Sequence, residues 1–360
     1  MKILHYVDAE DISWGLAYVE HLKTLGNFEL EQALLCRPGQ LENLARENNI
    51  ATFTFKPLFS NMPYFSPDFV KLVRKISPDI IHTRLSSAAR IAGVWKKFHN
   101  AKIISTFDKP AKAKYYTNSD FCISCADWLR KYMIDSQNMK PEKIAVIHNP
   151  VDVKKFSRDE NAREKFRAKL GIHENAILFS GMGIYIQRKA FDVLIKAFAI
   201  LKNSHKSEKL HLALIGSEGE SGMRENYANL AEKLGVKIIM PENFVSDVRE
   251  WLWASDVFVM PSRAEGFSIA LLEGLAAGLP AIVSDIDPFT EIISHENNGL
   301  VAKKNSPEDF AAKMLEMLQI GNSGREKFVQ NSLLMLEKNF TPEIAAKKTL
   351  DIYERIVHHE

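Results

Sequence analysis

Lys2-Ile-Leu-His-Tyr-Val7, followed by apolar residues at Leu16, Val19, Leu22 and Leu25, decides the fold class. The first run is short and rich in β-branched and aromatic residues, as a strand requires. The apolar positions after it recur every three or four residues, as one face of a helix does. The alternation repeats down the chain, with further strands expected at 32–35, 52–55, 80–83, 102–106, 121–124 and 144–148. Strands this apolar, each followed by a helix or loop, fit a mostly parallel sheet covered on both faces. The pattern pauses after Asn149-Pro150-Val151-Asp152, through a charged stretch to about Leu170, and restarts at Ile177-Leu-Phe-Ser-Gly181. The second series runs through 210–216, 236–240, 257–261 and 281–284, and the last 50 or so residues read as helix. The fold class is α/β, with two Rossmann-like, doubly wound domains and a helical C-terminal tail. The expected division is 1–160, 161–340 and a C-terminal helix over 341–360 that packs back on the first domain.

Composition agrees with two domains, because 360 residues exceed the length at which one core stops growing. The net charge of +2 argues against a nucleic-acid binder, although residues 1–150 carry +5 and the remainder −3. Three cysteines, no long apolar run and no leader pattern point to a reducing cytoplasm rather than to export or membrane spanning.

Two open α/β sheets suggest a ligand cleft at the carboxyl ends of their strands. The most informative segment has that position. Pro261-Ser-Arg-Ala-Glu-Gly-Phe-Ser-Ile-Ala-Leu-Leu-Glu-Gly-Leu-Ala-Ala-Gly-Leu-Pro280 follows an apolar strand and carries Glu265 and Glu273 eight residues apart. With a helix over 267–277, the N–H groups of Gly266, Phe267 and Ser268 would face the cleft at a helix N-terminus and favour a phosphate. Glu273, two turns on, suits vicinal ribose hydroxyls. The plainer alternative is that Glu265 caps the helix and Glu273 is a solvated helix residue.

The segment resembles the E-x7-E signature of the retaining family 4 glycosyltransferases, whose GT-B fold pairs two facing Rossmann-like domains. The likeness extends to Lys143-Ile-Ala-Val-Ile-His-Asn-Pro-Val-Asp152, to Phe244-Val-Ser, to Ala254-Ser-Asp-Val-Phe-Val-Met-Pro261 and to Asn297-Asn-Gly-Leu-Val301. The resemblance implies that Glu265 contacts the transferred sugar, Glu273 the ribose, and the amides around Gly266 to Ser268 the diphosphate. Gly183, Gly216, Phe244 and Val245 join the donor-binding set. Arg188 and Lys189, in the turn after the strand ending near Gly181, would stabilise the leaving diphosphate in place of a metal. Gly15 in the first β-α loop would let backbone approach the diphosphate.

Two departures stand out. The early Arg of the commoner pattern is replaced by Met182 or Gly183, and Lys189 precedes Ala190 rather than Gly. Where many members have a His, this chain reads Ser105-Thr-Phe-Asp108, so either Asp108 takes over or the sugar is held differently.

Other motifs carry less. Asp285-Ile-Asp287 reads as a strand-end turn before Pro288, with no metal site expected. Cys122-Ile-Ser-Cys125 reads as two buried small residues, and His148 as a packed one. Eleven basic residues between 71 and 114, against Asp79 and Asp108, with Trp95, Phe98, Tyr115 and Tyr116 among them, fit an anionic membrane surface. The expectation is a metal-independent, retaining, hexosyltransferase-type enzyme with no cofactor. It would move a sugar from a nucleotide-diphosphate donor, UDP favoured, to a glycan or lipid-linked acceptor in cell-surface polysaccharide synthesis. It would be cytoplasmic and peripheral on the membrane, without nucleic acid. The alternatives are a sugar-nucleotide epimerase of the same fold and a non-catalytic sugar-nucleotide or glycan-binding protein.

Overall fold

A computed structural model describes residues 1–11, 14–58, 63–205 and 209–358. Residues 359 and 360 of the expected terminal helix lie outside that set. Two compact units emerge, one of Met1–Pro150 with Phe340–Glu360, the other of Val151–Asn339.

In the first unit β1 (Lys2–Val7), β2 (Glu31–Cys36), β3 (Ala51–Thr54), β4 (Ile80–Arg84), β5 (Lys102–Phe107), β6 (Phe121–Ser124) and β7 (Ile144–Val146) form one sheet. The order is β3-β2-β1-β4-β5-β6-β7, and every pair is parallel. Its central strands are buried on both faces, which is why they read as continuous apolar runs. The helix Gly15–Gly26 puts Val19, Leu22 and Leu25 in the core. The helix Pro342–His358 packs along it. All three cysteines are buried, and burial pushes the Cys36 and Cys122 thiols up to about 12.

The second unit holds β8 (Ile177–Met182), β9 (Leu210–Ile215), β10 (Val257–Met260), β11 (Ala281–Ser284) and β12 (Gly299–Ala302), again all parallel, in the order β12-β11-β10-β8-β9. The run 236–240 is not a strand. It makes a single bridge, Ile239 beside Ala213, and its amide reaches Leu212 O at 2.8 Å. β12, formed by Gly299–Ala302, takes the fifth place instead. In this order the chain leaves β8 and β10 toward opposite faces, so a crevice opens at the carboxyl ends of those two neighbours.

Under the first sheet lies a histidine cluster. His82 bonds Tyr353 Oη through Nδ1 and Thr106 Oγ1 through Nε2, the latter at 2.7 Å. Its ring centroid is 5.8 Å from that of His5. Burial, reinforced by the Arg84 charge, lowers His5 to about 4 and His21 to about 3, and holds His82 well below its usual range. All three are neutral in the fold, whereas the unfolded chain protonates near pH 6.5. Stability is therefore fully present above pH 6.5 and falls as pH drops toward 4, by about 1.4 kcal/mol per pH unit for each such histidine. The melting temperature should decline steeply between pH 6.5 and 5, and His5→Phe should flatten the decline. A melting temperature unchanged over that window would contradict the burial of three neutral imidazoles.

Candidate functional site

The site is built where β8 and β10 end. β10 runs into Pro261-Ser262-Arg263-Ala264-Glu265, and β8 into the short turn Gln187–Lys189. Glu265 is 9% exposed and its carboxylate is shared three ways. Lys189 Nζ donates to Oε1 at 2.7 Å, Ser262 Oγ donates to the same oxygen at 2.9 Å, and Arg188 Nη1 donates to Oε2 at 2.6 Å. Burial works against the charged form, but the Lys189 and Arg188 charges and the bonds from Lys189 and Ser262 outweigh it. The carboxyl is held below its usual range. Arg188 also reaches Ala264 O, and its side chain remains 43% exposed, so one of the two cations presents a face to solvent.

Glycine makes room for this arrangement. Gly183 has φ +147°, and a Cβ there would meet Lys189 Cε at 2.8 Å. A Cβ on Gly216 would lie 2.0 Å from Gly183 O. The lysine stem therefore lies against bare backbone, and the ends of β8 and β9 close together behind it. Ala190, next along, adopts φ 55° and ψ 35° at the start of the helix Phe191–Ser204. That left-handed conformation favours glycine and costs alanine about 1 kcal/mol.

Arg263 fastens the two loops together. Its N–H donates to Arg188 O at 2.8 Å, and its guanidinium grips Asp192 at 3.0 and 2.8 Å and Asn305 Oδ1 at 2.8 Å. Neither Ser262 nor Arg263 nor Asp192 stood out by residue type, although all three lie in the two stretches that did.

The helix begins later than its apolar pattern suggested, at Ile269 rather than 267, and runs to Ala276. Ser268 is the N-cap, its Oγ accepting the Leu271 N–H. Gly266 and Phe267 thus lie in the loop before the cap, and Phe267 is buried. Glu265 does not cap the helix, since its oxygens are committed to the cations. Glu273 is half-buried in the second turn, and Gly274 beside it packs flat on Phe258. Burial pushes Glu273 up to about 7, opposed by Lys155 and assisted by Asp247. Phe244 is 75% exposed in the irregular segment 241–248, with Val245 half-buried beside it. Asp285 accepts the Lys304 N–H at 2.7 Å, and Asp287 opens a short helical turn with Pro288. Gly15, in the first unit, is the buried first residue of its helix, after Trp14.

Two family profiles match the chain. One described as "Glycosyl transferases group 1" takes in residues 162–334, and "Glycosyltransferase Family 4" takes in 29–155. The chain belongs to this glycosyltransferase family. It is 26% identical over 318 residues, 81% of each chain, to the UDP-Gal:alpha-D-GlcNAc-diphosphoundecaprenol alpha-1,3-galactosyltransferase of Escherichia coli. It is 27% identical over 350 residues to the lipopolysaccharide core biosynthesis glycosyltransferase LpsE of Rhizobium meliloti, covering 95% of this chain and 96% of that one. The crystal structure of a Rickettsia africae glycosyltransferase superposes with a TM-score of 0.86 at 20% identity, covering 100% and 99% of the two chains, which places the fold in the GT-B class.

Lys189→Met keeps the stem and removes the charge, leaving a buried carboxylate to Arg188 and Ser262. It should cost about 1–3 kcal/mol in denaturant unfolding, and adding Glu265→Gln should recover part of the loss. A change below about 0.5 kcal/mol would mean that the pair is not buried as described.

Proposed function

We propose that the protein transfers a sugar from a UDP-sugar, with retention of configuration, to a hydroxyl of a lipid-linked or lipopolysaccharide-type acceptor. The observation that carries this reading is the buried carboxylate of Glu265 held between Arg188 and Lys189 at the switch point of the second sheet. As the bond between the sugar's anomeric carbon and the phosphate oxygen breaks, its electron pair passes to the diphosphate. The charge that develops there falls to Arg188 and Lys189, which perform the task a divalent metal has in other enzymes. Glu265 faces the sugar, and the acceptor hydroxyl, attacking from the leaving-group side, gives its proton to the departing phosphate oxygen. Glu273, poised near neutrality, accepts the ribose hydroxyls, and exposed Phe244 with Val245 offers an apolar surface to the base. The donor named for the Escherichia coli relative and the lipopolysaccharide role named for LpsE agree with this substrate class.

The acceptor side has its own support. The helix Ser86–Val94 packs against the turns Pro63–Phe65, Lys96–Phe98 and Ala113–Tyr115. Exposed Lys97, Lys112 and Lys114 are thereby gathered with exposed Tyr64, Phe65 and Phe98. This surface differs from the expected one in two respects. Arg84 turns inward to Asp108, and Tyr116 is buried on Phe107. Tyr64 and Phe65, which the charge count passed over, take the exposed aromatic places. Among the described residues no helix is long and apolar enough to cross a membrane. We assign this patch to reversible attachment at an anionic bilayer, with no more than about 1 kcal/mol from each basic residue.

Glu265→Gln should leave UDP affinity within a few fold and remove most UDP-sugar turnover, with wild-type turnover surviving EDTA. Undiminished turnover in the variant would overturn the assignment. The protein should sediment with phosphatidylglycerol vesicles at low salt and leave them at high salt; a protein that stays in solution at low salt would refute attachment.

A further inference from the structure

The turn that carries Arg188 and Lys189 is fastened along its backbone by side chains from four directions. Ile186 O accepts from Tyr227 Oη at 3.3 Å, and the Gln187 N–H donates to Glu220 Oε2 at 3.3 Å. Gln187 O accepts from Arg263 Nη1, and Arg188 O from the Arg263 N–H at 2.8 Å. Arg263 stands in the loop after β10, yet its guanidinium also grips Asp192 in the first turn of the helix Phe191–Ser204 and Asn305 in the loop after β12. One residue therefore joins the loops after β8, β10 and β12.

This fastening answers a local strain. Ala190 ends the turn at φ 55° and ψ 35°, with its side chain fully buried. An alanine free to choose would leave the left-handed region, and the two cations just before it would move with the backbone. The Arg263 and Asp192 side chains are 34% and 32% exposed, so as an ion pair alone they would contribute no more than about 1 kcal/mol. What the pair supplies is direction, because two parallel bonds from one planar group fix where the loops meet.

We propose that Arg263, through Asp192 and Asn305, is the positioning residue that holds the Gln187–Lys189 turn in its strained form and so aims Arg188 and Lys189 at the diphosphate. The inference rests on the donor site proposed above and adds what keeps it assembled. The charges allow a test by sign. If Asp192 only balanced Arg263, its removal would make the site one charge more positive and tighten a diphosphate. A turn that loses its hold weakens it instead.

Calorimetry with UDP, GDP and ADP first finds the diphosphate that the wild type binds most tightly. That ligand and its nucleoside are then measured on four variants, with thermal unfolding of each. They are Asp192→Ala, the same with Ala190→Gly added, Asn305→Gly, which removes one bond from an exposed loop and keeps its left-handed backbone, and Met317→Ala, at a buried position of the same core. Asp192→Ala should weaken the diphosphate about ten- to a hundredfold and the nucleoside less than twofold, the scale of misplaced binding groups. Asn305→Gly should weaken the diphosphate about two- to fivefold. Adding Ala190→Gly to Asp192→Ala should return up to about fivefold, the strain of one left-handed alanine. Met317→Ala should lower the melting temperature and leave the ratio of the two affinities unchanged. A diphosphate bound by Asp192→Ala as tightly as by the wild type, or more tightly, would overturn the proposal with the donor site intact, and so would a double variant that recovers nothing. A wild type that binds no diphosphate more tightly than its nucleoside would overturn the donor site and the proposal together.

Discussion

One buried carboxylate governs the second domain. An isolated ionised carboxyl group in an apolar interior costs several kcal/mol or more, so Glu265 is tolerable only because Lys189, Arg188 and Ser262 surround it. Each partner imposes a condition of its own. Lys189 needs bare backbone at Gly183 and Gly216, Arg188 needs the turn Gln187–Lys189 held by Arg263 and Asp192, and Ser262 needs the loop after β10 kept in place by Ser284. β8 and β10 must be neighbours for the loops to meet at all, which the parallel order of the sheet ensures. On the function proposed here, such a site is preorganised for a dianion. Two cations are already assembled, and the carboxylate that balances them prevents their mutual repulsion before the substrate arrives.

The first domain solves a similar problem with the signs exchanged. There a buried guanidinium, Arg84, is balanced by Asp108 and by two aromatic faces, while the imidazoles near it remain uncharged. Both domains therefore keep a compensated ion pair at the switch point of a parallel sheet. The pair in the second domain leaves the Arg188 cation partly exposed, whereas the pair in the first is largely buried.

The alternation of strands and helices was legible because strands buried on both faces leave uninterrupted apolar runs, from Ile3 in β1 to Val283 in β11. The cluster around Glu265 was legible for a different reason. Its members lie in two short stretches, each immediately after a strand, so the topology alone brings them together. Details that depend on which hydrogen bond forms were not legible. Ser268 rather than Glu265 caps the helix because the cations had claimed the carboxylate. The run 236–240 has strand composition but makes one bridge, while Gly299–Ala302 supplies the fifth strand. Side-chain direction at strand ends was equally hidden, so Arg84 was counted on a surface patch from which it turns away, and Tyr116 likewise.

The central claim is that the Glu265 cluster is where the leaving diphosphate sits. A crystal structure of the protein with UDP tests it most directly. The account predicts the diphosphate oxygens within hydrogen-bond distance of Arg188 and Lys189, with Arg188 drawn from Glu265 toward them. UDP bound with its phosphates away from both side chains, and the Arg188–Glu265 pair left intact, would contradict it.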